Sequence, residues 1–133
     1  MHTPAHDLPT HRLLVVDNNH DYADSVCELL RLTSDWDIEV AYGSADAVSQ
    51  ALAHPPDVVM IDLEMPGMNG FGTADRLRET MGLPLPRLVA VTGNSHLQME
   101  ALHDLRFADA LLKPADATHM LDVMARFAEA PPS

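Results

Sequence analysis

Asp57-Val58-Val59-Met60-Ile61-Asp62-Leu63-Glu64-Met65-Pro66-Gly67-Met68-Asn69-Gly70 is an apolar run that ends on an acid and opens into a loop. Asp57 to Ile61 reads as a strongly buried strand, since four consecutive apolar residues leave no polar face for water. A sheet built from such strands must be covered on both sides, which points to parallel strands between two layers of helices. Met65-Pro66-Gly67 is turn chemistry, and Asp62 stands at the junction of strand and turn.

Outward from this strand the same alternation repeats. Upstream, Leu13 to Val16 is a second short buried strand. Asp21 to Thr33 follows as a helix, with Tyr22, Val26, Leu29, Leu30 and Thr33 on one face. Trp36 to Ala41 alternates in part and suits a strand nearer an edge, with Trp36 a packing residue at its start. Ser44 is positioned to N-cap a helix running to about Ala53, with Val48, Ala51 and Leu52 inward. Downstream, Phe71, Ala74, Leu77 and Met81 share a helical face, and Arg87 to Val91 is a strand. Ser95 and Gln98 have capping-box spacing for a helix that buries Leu97, Ala101, Leu102 and Leu105. Phe107 to Leu112 is the last strand. Ala117, Met120, Leu121, Met124, Phe127 and Ala128 mark the last helix. The chain thus reads as five βα units of an α/β, doubly wound sheet with right-handed crossovers. In such sheets the ligand crevice lies at the carboxyl ends of the strands.

At 133 residues the chain suits one domain, and at 47% hydrophobic it can build a core. Residues 1–10 read as a flexible tail, residues 11–129 as the domain, and residues 130–133 as a C-terminal tail or the start of a linker. No apolar run approaches the ~20 residues of a membrane helix, and the N-terminus lacks the pattern of a signal peptide, so a cytoplasmic protein is expected. Cys27 stands alone, which excludes an intrachain disulfide. A formal net charge of -12 repels phosphate backbones, so direct nucleic-acid binding is not expected, whereas basic protein faces and metal cations are suitable partners. Seven of the eight basic residues are arginines; the one lysine is Lys113.

Four strands end on polar groups of complementary kind: Asp17-Asn18-Asn19 after the first, Asp62 after the third, Thr92 after the fourth and Lys113 after the fifth. Two carboxylates about 5 Å apart repel by roughly 3 kcal/mol at an effective dielectric near 20, and a divalent cation turns that repulsion into coordination. Oxygen donors alone (Asp17, Asp62 and the Asn18 carbonyl) suit Mg²⁺, and no His or Cys has zinc-ligand spacing here. A phosphoryl group on Asp62 would bring about two negative charges. Mg²⁺ and Lys113 would neutralise part of that charge, and Thr92 could donate a hydrogen bond to a phosphoryl oxygen.

Leu13-Leu14-Val15-Val16-Asp17-Asn18-Asn19, Pro56 to Gly70, Val89-Ala90-Val91-Thr92-Gly93 and Leu111-Leu112-Lys113-Pro114 resemble the signature blocks of response-regulator receiver domains, over about residues 11–129. The resemblance implies a flavodoxin-like five-stranded parallel sheet in the order 2-1-3-4-5 with five helices. It implies a signalling switch rather than a turnover enzyme, one that only assists its own phosphorylation and dephosphorylation. Asp62 would take a phosphoryl group from the phosphohistidine of a sensor histidine kinase or from a phosphotransfer protein. Asp17, Asn18, Asp62 and the backbone carbonyl of Glu64 would hold Mg²⁺ or Mn²⁺. Thr92 would be the switch hydroxyl, and Lys113 the ammonium paired with the phosphoacceptor, before a cis bond to Pro114. The output partner is not implied by the sequence.

Three departures stand out. Asn18 replaces a usual second acid, which predicts weaker Mg²⁺ binding. Ala110 stands where many members carry a switching aromatic, three residues before the lysine. Leu105-Arg106-Phe107 replaces a stretch that often carries a glycine, which predicts an altered junction before the last strand. Two other readings share much of this pattern. A pseudo-receiver would keep the fold as a docking module without phosphorylation. An aspartyl-nucleophile phosphohydrolase would use a strand-end Asp, Thr and Lys, but it needs a second Asp two residues after the nucleophile, where this chain has Glu64. Taken singly, Asp17 and Asn18 could cap a helix, Thr92 could be turn chemistry and Lys113 a solvated lysine. His20 lies near the pocket in sequence, where a surface position is its simplest role. His2, His6 and His11 are scattered in or beside the tail.

Overall fold

The computed structural model describes residues 11–82 and 84–129; the expected tails at 1–10 and 130–133 lie outside the described residues. Ten elements alternate along the chain: β1 (Arg12–Val16), α1 (His20–Thr33), β2 (Asp37–Ala41), α2 (Ser44–Ala53), β3 (Val58–Asp62), α3 (Gly70–Thr80), β4 (Arg87–Thr92), α4 (Ser95–Leu102), β5 (Asp109–Leu112) and α5 (Ala117–Glu129). The strands form one sheet in the order β2-β1-β3-β4-β5, and every neighbouring pair is parallel. The expected doubly wound fold is therefore present, and β3 at its centre is buried throughout.

Period-two alternation divides the strand residues between two cores. Leu14, Val16, Val59, Ile61, Leu88 and Ala90 face Ala47, Ala74, Leu77 and Ala101 of α2, α3 and α4. On the other side Leu13, Val15, Val58, Met60, Val89 and Val91 meet Cys27 and Leu30 of α1 and Met120, Val123 and Met124 of α5. The register sets the strand ends level. Val16 pairs with Ile61, Asp62 with Val91, and Thr92 with Leu112. The residues just after β1 and β5 therefore lie on the same rim as Asp62 and Thr92.

Several local expectations are corrected. The buried stripe of α1 is Ala23, Cys27 and Leu30, while Leu29 and Leu32 are 46% and 77% exposed. The helix is apolar on two faces, so periodicity alone did not fix its phase. The N-cap of α2 is Gly43, not Ser44; the Ser44 hydroxyl instead meets Thr73 Oγ1 at 2.9 Å. Leu52 is exposed, and Ala47 takes the inward place.

Asn94, not Ser95, caps α4, accepting from the backbone N–H groups of His96 and Leu97. Gln98 is not the second half of a capping box: its side-chain amide donates to the Ala110 carbonyl at 3.3 Å. Of the four residues assigned to the buried face of α4, Ala101 is buried and Leu97 partly so, but Leu102 and Leu105 are exposed. The last strand begins at Asp109 rather than Phe107. Phe107 belongs to a turn, its N–H bonded to Asp104 O, and its ring packs edge-on to Phe71 at 5.6 Å.

The junction without glycine has its own solution. His103 N–H bonds back to Glu100 O and Asp104 N–H to Ala101 O, so the end of α4 closes tightly with no left-handed residue. Arg106 then bridges Asp104, Asp75 and the Phe71 carbonyl.

Two glycines are set by geometry. Gly67 has φ 84°, the left-handed region that glycine enters without strain. Gly70 opens α3 hard against the end of β3: a Cβ there would lie 2.7 Å from Asp62 O and 2.8 Å from Leu63 Cα. Both obstacles involve main chain, which cannot rotate away. Gly70→Ala is expected to cost about 2 kcal/mol by forcing α3 off the strand. Urea denaturation measures this; a neutral substitution would mean that α3 can withdraw freely.

Candidate functional site

Each group on the rim is held by the turn that follows its strand. Asp17 leaves β1 with its N–H still bonded to Ala41 O, and its Oδ1 accepts the N–H of Asn19 at 2.9 Å. Asn19 in turn caps α1, accepting from Tyr22 N–H at 3.1 Å. Asp62 ends β3, and its Oδ1 accepts the N–H of Glu64 at 3.0 Å. Each acid thus has one oxygen fixed by the backbone two residues on, which leaves Oδ2 to the pocket. Asp17 is 2% exposed and Asp62 6%.

Lys113 answers both acids. Its N–H extends the sheet to Thr92 O at 2.7 Å, and its bond to Pro114 is cis, as expected. The Lys113 Nζ lies 2.8 Å from Asp17 Oδ2 and 3.6 Å from Asp62 Oδ2. Residues from three strands, far apart in the chain, thus make one ion cluster. Thr92 is fully buried beside it; its hydroxyl donates to Glu64 Oε1 at 2.8 Å and accepts Asn94 N–H at 3.1 Å.

Burial pushes the Asp62 carboxyl above the usual carboxylate range; the Glu64 N–H and Lys113 draw it back, but the facing Asp17 adds to the rise and the balance remains upward. Burial disfavours the Lys113 charge, yet the hydrogen bond and the negative charge of Asp17, with Asp62 beside it, hold its pKa above the ordinary lysine value. Two carboxylates against one ammonium leave one surplus negative charge in a partly desolvated place. That donor set fits a hard cation such as Mg²⁺, which retains several waters and needs only one or two carboxylates. Among the described residues no group of three or more His, Cys, Asp or Glu side chains is placed to hold a metal ion.

The remaining sequence candidates are placed as follows. Asn18 is exposed at the mouth of the turn after β1. Glu64 is exposed in the loop after β3, and Ala110 is buried in β5. His20 begins α1 and stacks on Tyr42 at 3.8 Å. His11 stacks on Trp36 at 5.0 Å, while His2 and His6 lie outside the described residues.

Two roles escaped the sequence reading. Glu64 was expected to act through its backbone alone, yet its side chain takes the Thr92 hydroxyl. Tyr22 was expected only as a helix-face residue, yet its ring lies 4.5 Å below Lys113 Nζ. The second was partly readable: a residue five after the first rim acid stands in the first turn of a helix capped by Asn19, directly under the rim.

Similarity to known proteins bears on the family and the fold. The family model described as response regulator receiver domain matches residues 13–125. A protein-glutamate methylesterase/protein-glutamine glutaminase of Caulobacter vibrioides is 33% identical over 118 residues, covering 86% of this chain and 33% of that protein. The chain thus spans between about a third and a half of the length of the curated relatives it matches. Among solved structures, chemotaxis protein CheY4 of Vibrio cholerae superposes with a TM-score of 0.77 at 20% identity, covering 88% of this chain and 98% of that one. Response regulator TrrA of Thermotoga maritima, in complex with Mg²⁺-BeF, superposes with a TM-score of 0.76 at 21% identity, covering 89% and 99%. The family match spans most of the described chain and includes every rim residue from Asp17 to Lys113, so the chain belongs to the response regulator receiver domains.

Proposed function

We propose that this receiver domain is a phospho-accepting switch whose acceptor is Asp62. The observation that carries this reading is the convergence of buried Asp17 and Asp62 on the chain's only lysine at one sheet edge. An Asp62 carboxylate oxygen attacks the phosphorus of a phosphohistidine on a sensor histidine kinase or a phosphotransfer protein. The new O–P bond forms as the P–N bond breaks, and the electron pair leaves with the imidazole, which takes a proton from water. Asp17, Asn18, Asp62 and the backbone carbonyl of Glu64 would hold Mg²⁺ or Mn²⁺. The cation, when bound, neutralises charge gathering on the phosphoryl oxygens. Lys113 supplies the opposite wall of positive charge.

Thr92 supplies the switch. Its hydroxyl must leave Glu64 to reach a phosphoryl oxygen, and the same hydroxyl accepts the N–H of Asn94, the cap of α4. A charge arriving on Asp62 is thereby wired to the start of α4, with no aromatic needed at Ala110. The product is a changed affinity for an output partner. The chain itself turns over no separate substrate, and it works in the cytoplasm without contacting DNA or membrane. No helix among the described residues is long and apolar enough to cross a membrane.

The test is incubation with acetyl phosphate and Mg²⁺ followed by intact mass. Gain of one phosphoryl group, prevented by EDTA, is expected. An unchanged mass over a range of Mg²⁺ concentrations would favour the docking-module reading, for which the bond tying Thr92 to Glu64 speaks. Turnover of a chromogenic phosphomonoester would instead revive the phosphohydrolase reading. Asn18→Asp adds a charged ligand to the mouth of the pocket and is expected to tighten Mg²⁺ binding on the order of tenfold by calorimetry; equal or weaker binding would remove Asn18 from the metal site.

A further inference from the structure

Tyr22 holds the only buried side-chain polar atom without a hydrogen-bond partner among the described residues: its hydroxyl. Buried polar groups are normally paired, and phenylalanine would fill the same space without an orphan oxygen. The contact that Tyr22 makes at the site is made by its ring. That ring is placed from below by the capped first turn of α1, where Asn19 Oδ1 takes the Tyr22 N–H. Above it stands the Lys113 ammonium, 4.5 Å from the ring centre. The charged groups that face the phenol are Lys113, Asp17 and Asp62, and burial holds its pKa above the ordinary tyrosine value, so the ring stays neutral.

We infer that Tyr22 is a positioning residue for the phosphoryl site, its π face cradling the Lys113 ammonium between Asp17 and Asp62. The inference rests on the switch reading above for its functional consequence, but not for the contact itself. The physical need is clear. Lys113 is a flexible four-carbon chain with a point charge, and its hydrogen bond to Asp17 draws it away from Asp62, to which it is 0.8 Å more distant (3.6 against 2.8 Å). An aromatic face attracts a cation without competing for its directional donors, so the ammonium stays near Asp62 with its N–H groups still available for incoming phosphoryl oxygens. A leucine is apolar but smaller and has no π face, so it supplies none of this attraction.

The chain's single lysine makes the test direct. In protein labelled with ¹³C-lysine, one ε-methylene signal reports Lys113. Ring currents should move its protons upfield in the unphosphorylated wild type and in Tyr22→Phe, and they should return to the random-coil position in Tyr22→Leu. With acetyl phosphate and Mg²⁺, Tyr22→Phe should be phosphorylated at the wild-type rate and Tyr22→Leu about tenfold more slowly. Thermal melts establish that each variant is folded; should Tyr22→Leu not fold, the wild-type and Tyr22→Phe spectra and rates decide. A random-coil lysine signal in the wild type overturns the inference. So does a Tyr22→Phe rate as slow as that of Tyr22→Leu, because the hydroxyl would then be the working part. A wild type that shows the upfield signal but takes no phosphoryl group would instead overturn the switch reading and leave the ring contact standing.

Discussion

Asp62→Ala is expected to lose the phosphoryl adduct completely and, at the same time, to make the fold more stable. The loss follows from chemistry: no other carboxylate at the rim is both buried and opposed to Lys113 except Asp17, whose Oδ2 is already its closer partner at 2.8 Å. The gain follows from electrostatics. Asp62 is held above the usual carboxylate range by burial first and by the facing Asp17 as well. A carboxyl with a raised folded pKa favours the fold while protonated, and this contribution is full below the unfolded value and lost as pH rises through the folded one. At neutral pH the ionised Asp62 is therefore a cost that the fold carries. Removing it should raise the unfolding free energy by about 1 kcal/mol, the usual size when a functional compromise is relieved. The stability that Asp62 itself takes from the fold as pH rises above about 4 should be absent from the variant, so the difference between the two proteins should widen with pH. Urea melts across pH would show both; a less stable Asp62→Ala would mean that Asp62 is held by favourable contacts and is not under electrostatic strain.

Lys113→Met should instead destabilise the fold. It removes the only cation from two buried acids while keeping most of the side-chain volume. Breaking one side of a buried ion cluster costs more than the pair contributes, because the stranded charge keeps its desolvation penalty. The Lys113 side chain is 23% exposed, so solvent softens the penalty and a loss of about 2–3 kcal/mol is expected. The same vacancy raises the demand for a metal. Mg²⁺ should therefore increase the melting temperature of Lys113→Met more than that of the wild type. Equal Mg²⁺ shifts in the two proteins would place the cation away from Asp17 and Asp62.

The fold was legible in the sequence because its strands are short, apolar and regularly spaced. β1 and β3 are apolar on both faces, and only a covered parallel sheet accommodates that. The rim acids were legible for the same reason, since a polar residue that ends such a strand has one place to go. Local detail was less readable where two helix faces were nearly equally apolar. Leu29, Leu52 and Leu102 could each have turned inward; packing instead seated Ala23 in α1 and Ala47 in α2, and in α4 it kept Ala101, which was expected inward, without Leu102. The caps Gly43 and Asn94 each lie one position before the residue expected, an error inherent to reading helix ends from composition. The Glu64–Thr92 bond and the Lys113–Tyr22 contact join residues far apart in the chain through side-chain directions. The sequence places Tyr22 in the first turn of α1, near the rim, but no local pattern encodes the side-chain directions.

The most direct measurement is chemical mapping of the acceptor. Protein treated with acetyl phosphate and Mg²⁺ is reduced with borohydride, which converts an aspartyl phosphate to homoserine, and its peptides are then sequenced by mass. Homoserine at position 62, and at no other aspartate, is the expected result. Homoserine at position 17 or elsewhere, or none in protein shown to be folded and metal-bound, would contradict Asp62 as the phosphoryl acceptor.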